Sequence, residues 1–150
     1  MRRSSRKRRH GFTLIELLIG IAIVSLLAMI AIPNVMKANR KSKYARAATE
    51  ARMVTTSAIT YVLDKGVYPT GIALLRSGGY GAISDLDPWQ FPYQLSPVLL
   101  GGGPALSGQD VYMFSKGASG AGAYPSPFLE YTGPGGSVGY SSIYGAWAGN

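Results

Sequence analysis

The chain has 150 residues, 47% of them hydrophobic, which leaves room for one modest domain beside a membrane segment. Its net charge of +8 belongs mostly to the first eleven residues, which hold six of the 15 basic side chains and no acidic one. The chain has no cysteine and no histidine after His10, which excludes disulfide bonds and any His- or Cys-based nucleophilic triad or zinc site after that point. We therefore predict that the protein is not an enzyme.

Residues 1–11 are too basic to pack and are predicted to be a leader or a cytoplasmic tail. Lys and Arg beside a membrane span are held on the cytoplasmic side. The sequence therefore predicts a single-pass protein with a cytoplasmic N-terminus, whose remaining chain faces the opposite compartment.

Residues 12–36 form the predicted span. No charged side chain occurs in the 20 residues from Leu17 to Met36, and a helix of that length is about 30 Å long, enough to cross a bilayer core. Pro33 removes a backbone donor, so a kink or local melting is expected there. Glu16 is a lone acid at the start of the span, where a charge is costly, and we expect it to have a specific partner. The simpler alternative is an anchor in which Glu16 reaches the membrane surface.

Residues 37–66 continue the helix with an amphipathic pattern. The helix is predicted to end near Lys65, with Gly66 in the left-handed conformation that follows many helices. The basic cluster Lys37–Arg46 is predicted to be a solvated helix face, with acidic lipid headgroups or DNA as alternative contacts. The predicted stripe that packs against the rest of the protein contains Tyr44, Ala47, Ala48, Ala51, Val54, Thr55, Ala58, Tyr61 and Val62.

Residues 67–150 are predicted to form a small β-rich head with antiparallel strands, which makes the fold class α+β. Strands are predicted at 90–95 and 110–115, separated by a turn or loop at 101–104. Trp89 is predicted to be a core anchor between helix and sheet. The glycine-rich tail after Lys116 is predicted to be either disordered or a loop packed on the head. It contains the aromatic residues Tyr124, Phe128, Tyr131, Tyr140, Tyr144 and Trp147.

The segment Gly11-Phe12-Thr13-Leu14-Ile15-Glu16 resembles the processing motif of type IV prepilins and type II secretion pseudopilins. As in that family, a basic leader precedes the motif and an apolar helix follows it. The resemblance implies that a prepilin peptidase cuts after Gly11 and methylates the new N-terminus of Phe12. It also assigns the family's assembly glutamate to Glu16 and its helix-kinking proline to Pro33.

The head resembles the major pseudopilin of type II secretion systems. The similar segments are Tyr68-Pro69-Thr70, Asp87-Pro88-Trp89 with Tyr93, and Tyr112, Phe114, Ser115 and Gly117. That family usually has aspartates in the next loop, which hold calcium. Here the loop Lys116–Gly122 has one lysine and no acid, so we predict no metal cofactor at that loop. Asp85, Asp87 and Asp110 are the acids most able to converge on a cation, although turn and cap roles are favoured for them.

The sequence thus predicts a structural subunit of a type IV pilus-like filament, with the major pseudopilin of a type II secretion system as the main interpretation. The alternatives are a type IV pilin for adhesion, motility or DNA uptake, and a membrane-anchored binding module that does not polymerise. The resemblance implies a homopolymer whose partners are the prepilin peptidase, an inner-membrane assembly platform and minor pilins or pseudopilins, and nucleic acid is not expected. The predicted location is the bacterial inner membrane and then a periplasmic pseudopilus or an extracellular pilus.

Overall fold

The computed structural model describes residues 11–104, 108–125 and 134–148. The chain divides into two compact units, one up to Asn39 and one from Arg40 onward. The first unit is helical from Leu14, where helix α1 (Leu14–Lys65) begins. Within it, every large apolar side chain from Phe12 to Met36 is exposed. By length and composition α1 could cross a membrane.

Helix α1 continues through Pro33 without a break, so the predicted local melting there is absent. Two polar side chains of the apolar segment bond back to the helix itself. Ser25 Oγ donates to the carbonyl oxygen of Ile21 (2.7 Å), and Asn34 Nδ2 donates to that of Ile30 (3.1 Å). Such bonds satisfy polar groups within an apolar environment without a partner helix.

The predicted end of α1 is confirmed. The helix ends at Lys65, and Gly66 follows with a φ of 70° while its N–H donates to the carbonyl oxygen of Val62 (2.8 Å). A residue with a side chain would be strained in this left-handed conformation. The glycine therefore stops the helix and turns the chain into the head.

The second unit contains the head, and the predicted α+β class is confirmed. Two short antiparallel strands, β1 (Val67–Tyr68) and β3 (Gly103–Pro104), pair with each other, and helices α2 (Ile72–Ser77) and α3 (Pro97–Gly101) lie between them in the chain. Within the described part of the chain, the main sheet has four antiparallel strands in the order β2-β4-β5-β6. These strands are β2 (Gln94–Leu95), β4 (Tyr112–Ser115), β5 (Val138–Ser141) and β6 (Gly145–Trp147).

The core of the head lies between α1 and the inner face of this sheet. Ala51, Val54 and Ala58 of the predicted stripe are buried, and small residues at these positions allow close packing of the helix. Thr55 is also buried and its Oγ1 donates to the carbonyl oxygen of Tyr140 (3.3 Å). The cluster is completed by Tyr68, Ile72, Leu75, Ile83, Tyr93, Leu99, Val111 and Met113.

The outer face of the sheet carries a second, aromatic cluster. Phe114, Gly139 and Trp147 are cross-strand neighbours in the sheet register, and Trp147 is 1% exposed. A Cβ at position 139 would come within 2.5 Å of Trp147 Cζ2, so only glycine leaves room for the indole. Tyr124 covers the same face, stacked on Tyr112 with a ring separation of 4.0 Å.

Several expectations about the head were wrong in detail. The tail contains β5 and β6 rather than only loop or disorder, although Phe128 and Tyr131 lie outside the described residues. Residues Gly103–Pro104 form β3 rather than part of a loop. The strand predicted at 90–95 is reduced to β2, which begins at Gln94. Gln90 has a φ of 70°, which is incompatible with a strand, and Phe91 bonds to Asp87 within the preceding loop. Trp89 is only partly buried, whereas Trp147 is fully buried in the outer aromatic cluster.

Candidate functional site

The N-terminus of α1 is a reciprocal capping box. Thr13 is the residue before the helix, and its backbone N–H donates to Glu16 Oε2 (2.9 Å). Its hydroxyl donates to the same oxygen (2.8 Å), and the Glu16 N–H lies 3.3 Å from Thr13 Oγ1. A Thr-x-x-Glu sequence at this position satisfies backbone donors that the helix leaves free. Sequence reasoning identified Glu16 but missed Thr13, which the Thr-x-x-Glu spacing could have revealed.

The predicted processing residues lie immediately before this box. Gly11 and Phe12 are outside the helix, and the Phe12 side chain is 87% exposed. In the uncut chain the nitrogen of Phe12 is a peptide nitrogen, so the amine predicted to pair with Glu16 does not exist before cleavage. The Glu16 carboxylate bonds to Thr13 instead.

The apolar part of α1 is the candidate assembly surface. The large apolar side chains from Phe12 to Met36, including those around Pro33, are exposed over the whole circumference of the helix. A contiguous apolar surface of this size indicates contact with lipid or with other protein chains. Glu16 is the only charged residue of this Phe12–Met36 surface. If copies of the helix pack together, their axial register therefore depends most on where that carboxylate finds a partner.

Asp87 organises a loop in the head rather than a cation site. Its carboxylate is buried and accepts the N–H groups of Trp89 (2.9 Å) and Phe91 (2.8 Å) at Oδ1. Its Oδ2 accepts the hydroxyl of Ser115 (2.6 Å). These bonds place Asp87 in the role of a turn residue, which is the role favoured by the Asp-Pro sequence.

The other two candidate acids have separate partners. Asp110 accepts the hydroxyls of Tyr124 and Ser141, each at 2.7 Å, and therefore fastens the outer aromatic cluster to the sheet. Asp85 is exposed and forms an ion pair with Arg76 (2.8 Å). Among the described residues, no group of three or more His, Cys, Asp or Glu side chains could hold a metal ion.

The loop Lys116–Gly122, where the resemblance implies calcium, closes by hydrogen bonds among its own neutral groups. The Gly122 N–H donates to the carbonyl oxygen of Lys116 (3.0 Å), and the Gly117 N–H donates to Ser115 Oγ (2.9 Å). Ser119 Oγ donates to the carbonyl oxygen of Gly135 (2.9 Å), which ties the loop to the tail. Calcium prefers six to eight oxygen ligands that include carboxylates. The described residues of this loop offer no carboxylate, so they do not fit the ion.

We expect the head to be equally stable with and without calcium. A site filled at one hundred times its dissociation constant would add about 2.7 kcal/mol to the free energy of unfolding. That amount would raise the melting temperature by several degrees. Thermal unfolding of the full chain in detergent, followed by circular dichroism with either calcium or a chelator, should give the same melting temperature. An increase caused by calcium but not by magnesium would contradict this expectation.

A further, partly buried network links α1 to the head and was not predicted. The hydroxyl of Tyr93 donates to Glu50 Oε2, and Glu50 Oε1 is paired with Arg46 (2.6 Å). Burial raises the pKa of Tyr93 well above its ordinary value, and the bond to Glu50 raises it further. The hydroxyl therefore stays protonated and remains a donor to Glu50 at physiological pH.

Comparison with known proteins places the chain in a family. Residues 6–32 match the prokaryotic N-terminal methylation motif. The chain is 33% identical to the type II secretion system core protein G of Aeromonas hydrophila over 113 residues, which are 64% of this chain and 79% of that protein. It is 31% identical to the same protein of Klebsiella pneumoniae over 130 residues, or 76% of this chain and 88% of that protein. The chain belongs to the family of type II secretion system core protein G.

This family also has relatives among type IV pilins. The chain is 32% identical to the type IV major pilin protein PilA of Myxococcus xanthus over 148 residues, which are 92% of this chain and 65% of that protein. The resemblance to prepilins and pseudopilins predicted from Gly11–Glu16 is thereby confirmed. The roles of Gly11, Phe12, Glu16 and Pro33 stay predictions, since they come from the motif rather than from a measured activity.

Proposed function

We propose that this core protein G relative is the major pseudopilin of a type II secretion system, the repeating structural subunit of its filament. The observation that carries the proposal is the identity to core protein G proteins over most of their length. A second support is the apolar surface of α1, which is exposed in the isolated chain. A surface of this kind is unfavourable in water, so it is expected to contact lipid or other subunits. The proposed role is structural and includes no enzymatic activity.

In the proposed pathway, the Phe12–Met36 segment serves first as a membrane anchor and then as the core of the filament. The peptidase cuts after Gly11, and the new methylated amine of Phe12 can still be protonated. An unpaired charge in a low-dielectric layer is costly, and pairing of opposite charges there is favourable. The amine of one subunit therefore meets Glu16 of its neighbour and sets the register between the two helices.

The capping box gives this step a starting point. Before assembly, the Glu16 carboxylate accepts two hydrogen bonds from Thr13, so it is not unpaired while the subunit is anchored in the membrane. A carboxylate with two oxygens has room for further donors. The amine of the neighbouring chain can thus be added without first breaking the helix terminus.

The proposed partners and location follow from the same role. The chain is inserted in the inner membrane with its N-terminus in the cytoplasm, where the peptidase and the assembly platform act on it. It polymerises with copies of itself and with minor pseudopilins into a periplasmic filament. The second candidate, a type IV pilin of an extracellular pilus, is favoured by the match to PilA, which spans 92% of this chain.

A strain that lacks this protein distinguishes the two candidates. We expect the strain to stop secreting a folded exoprotein and to retain it in the periplasm, while filaments sheared from the cell surface are unchanged. Secretion assays and electron microscopy of sheared material measure the two outcomes, and the wild-type gene supplied in trans is the control. Normal secretion together with a loss of surface filaments would contradict the proposed function and support the pilin.

A further inference from the structure

Aromatic and basic side chains meet at one end of the head, at the start of its part of α1. The rings of Tyr44 and Trp89 pack edge to face with centroids 4.7 Å apart. The guanidinium of Arg40 lies over the Tyr44 ring at 5.7 Å. We define the Tyr44–Trp89 surface as these residues together with the neighbouring bases of α1, namely Arg40, Lys41, Lys43, Tyr44 and Trp89.

The position of Trp89 on this surface is fixed by its loop. Asp87 holds the Trp89 and Phe91 N–H groups, and Gln90 between them takes a φ of 70° that is unfavourable for a residue with a side chain. As a result Trp89 is only partly buried and Phe91 is 38% exposed. The loop thus holds a large indole partly in solvent, packed against the ring of Tyr44.

The charge of this part of the chain is one-sided. Five bases lie between Lys37 and Arg46, and no acid occurs between Glu16 and Glu50. Each acid that the structure describes elsewhere already accepts a hydrogen bond from another side chain of the same chain. The acids and their donors are Glu16 with Thr13, Glu50 with Arg46 and Tyr93, Asp64 with Tyr80, Asp85 with Arg76, Asp87 with Ser115, and Asp110 with Tyr124.

The neighbouring sequence indicates which anion the surface meets. Arg40 follows Met36, the last residue of the uncharged apolar segment, by four positions. Tyr and Trp beside Lys and Arg are typical of the membrane–water interface, where amphipathic rings lie at headgroup level and bases meet lipid phosphates. Duplex DNA could bind the basic side chains of this surface. DNA binding would not explain why a partly exposed aromatic pair lies next to an apolar membrane span.

We propose that the Tyr44–Trp89 surface binds anionic phospholipid headgroups while the chain is anchored in the membrane. The inference rests on the proposed membrane-anchored stage of the subunit. Binding holds the head against the bilayer with Trp89 at headgroup depth. The lysines then lose their phosphate partners when the subunit leaves the membrane, so the lipid composition affects how readily a subunit is extracted.

Trp89 provides the test, because Trp147 is buried in the head and responds little to lipid. The full chain is reconstituted in nanodiscs of phosphatidylcholine that carry a nitroxide on some headgroups, with or without phosphatidylglycerol. We expect phosphatidylglycerol to increase the quenching of tryptophan fluorescence. The increase should disappear in Trp89→Phe and at high salt, which screens exposed charges.

Lys41→Gln and Lys65→Gln form a matched pair, since each removes one exposed lysine from α1. Lys41→Gln should weaken the apparent association with phosphatidylglycerol about fivefold, whereas Lys65→Gln should leave it unchanged. If the chains insert but phosphatidylglycerol does not change the quenching of Trp89, the inference is overturned while the proposed function stands. If phosphatidylglycerol has no effect but duplex DNA binds in a way that depends on Lys41, the basic side chains serve DNA binding instead. Chains that do not insert into the nanodiscs would overturn the proposed membrane stage as well.

Discussion

Glu16→Gln is expected to abolish filament assembly while leaving membrane insertion intact. Glutamine keeps the oxygen acceptor of the capping box, since Thr-x-x-Gln caps helices as Thr-x-x-Glu does, but it removes the negative charge. The amine of the neighbouring Phe12 would then be buried without a partner. Leaving one member of a buried ion pair alone costs about 3–5 kcal/mol, or roughly two to four orders of magnitude in each subunit contact. Electron microscopy of sheared or overproduced filaments measures the loss.

Thr13→Ala is the matched control for this prediction. It removes the hydroxyl that bonds Glu16 Oε2 but keeps the carboxylate, so it should cost about 1 kcal/mol at the helix terminus and still allow filaments. Mass spectrometry should show that both variants begin at Phe12 with one added methyl group. Normal filaments from Glu16→Gln would contradict the charge-pairing role, and an equal loss in Thr13→Ala would assign the effect to the cap.

The helix could be predicted from the sequence because its signals are local. Uninterrupted apolar residues, a spacing of three and four in the second half, and Gly66 at the end each depend on neighbours within a few positions. The stripe that includes Ala51 and Thr55 was therefore predicted correctly. At Pro33 the local rule predicts a kink or melting, and only the melting is ruled out, since the helix continues through this residue.

The tail could not be predicted because its structure depends on contacts distant in the chain. Strand β5 contains Gly139, a residue that ordinarily weakens strands, and its presence is explained only by Trp147 on β6. Asp110 likewise looked like a metal candidate, whereas its partners Tyr124 and Ser141 are 14 and 31 residues away. No periodicity within the tail carries that information.

The same contacts make Trp147→Ala the largest expected loss of stability in the head. Trp147 is 1% exposed, its Nε1 donates to Ser137 Oγ (3.2 Å), and its ring meets that of Tyr124 edge to face at 5.4 Å. Removing a buried tryptophan side chain costs about 3–5 kcal/mol, because the lost contacts are not replaced by the neighbours. We expect the melting temperature of the full chain in detergent, measured by near-ultraviolet circular dichroism, to fall by on the order of 10 °C.

Two further variants show whether the stability lost in Trp147→Ala comes from the packing of the indole or from a general disturbance of the β5–β6 hairpin. Ile143→Ala alters the same hairpin at a side chain that is 52% exposed, and such surface changes stay within about 0.5 kcal/mol. Trp147→Phe keeps a ring against Gly139 but loses the bond to Ser137, so its melting temperature should lie between those of the wild type and Trp147→Ala. If the Trp147→Ala variant has the same melting temperature as the Ile143→Ala variant, the outer aromatic cluster is not a source of stability. A loss confined to Trp147→Ala and Trp147→Phe would mean that the tail, which has the least local structure signal in the sequence, holds the sheet together.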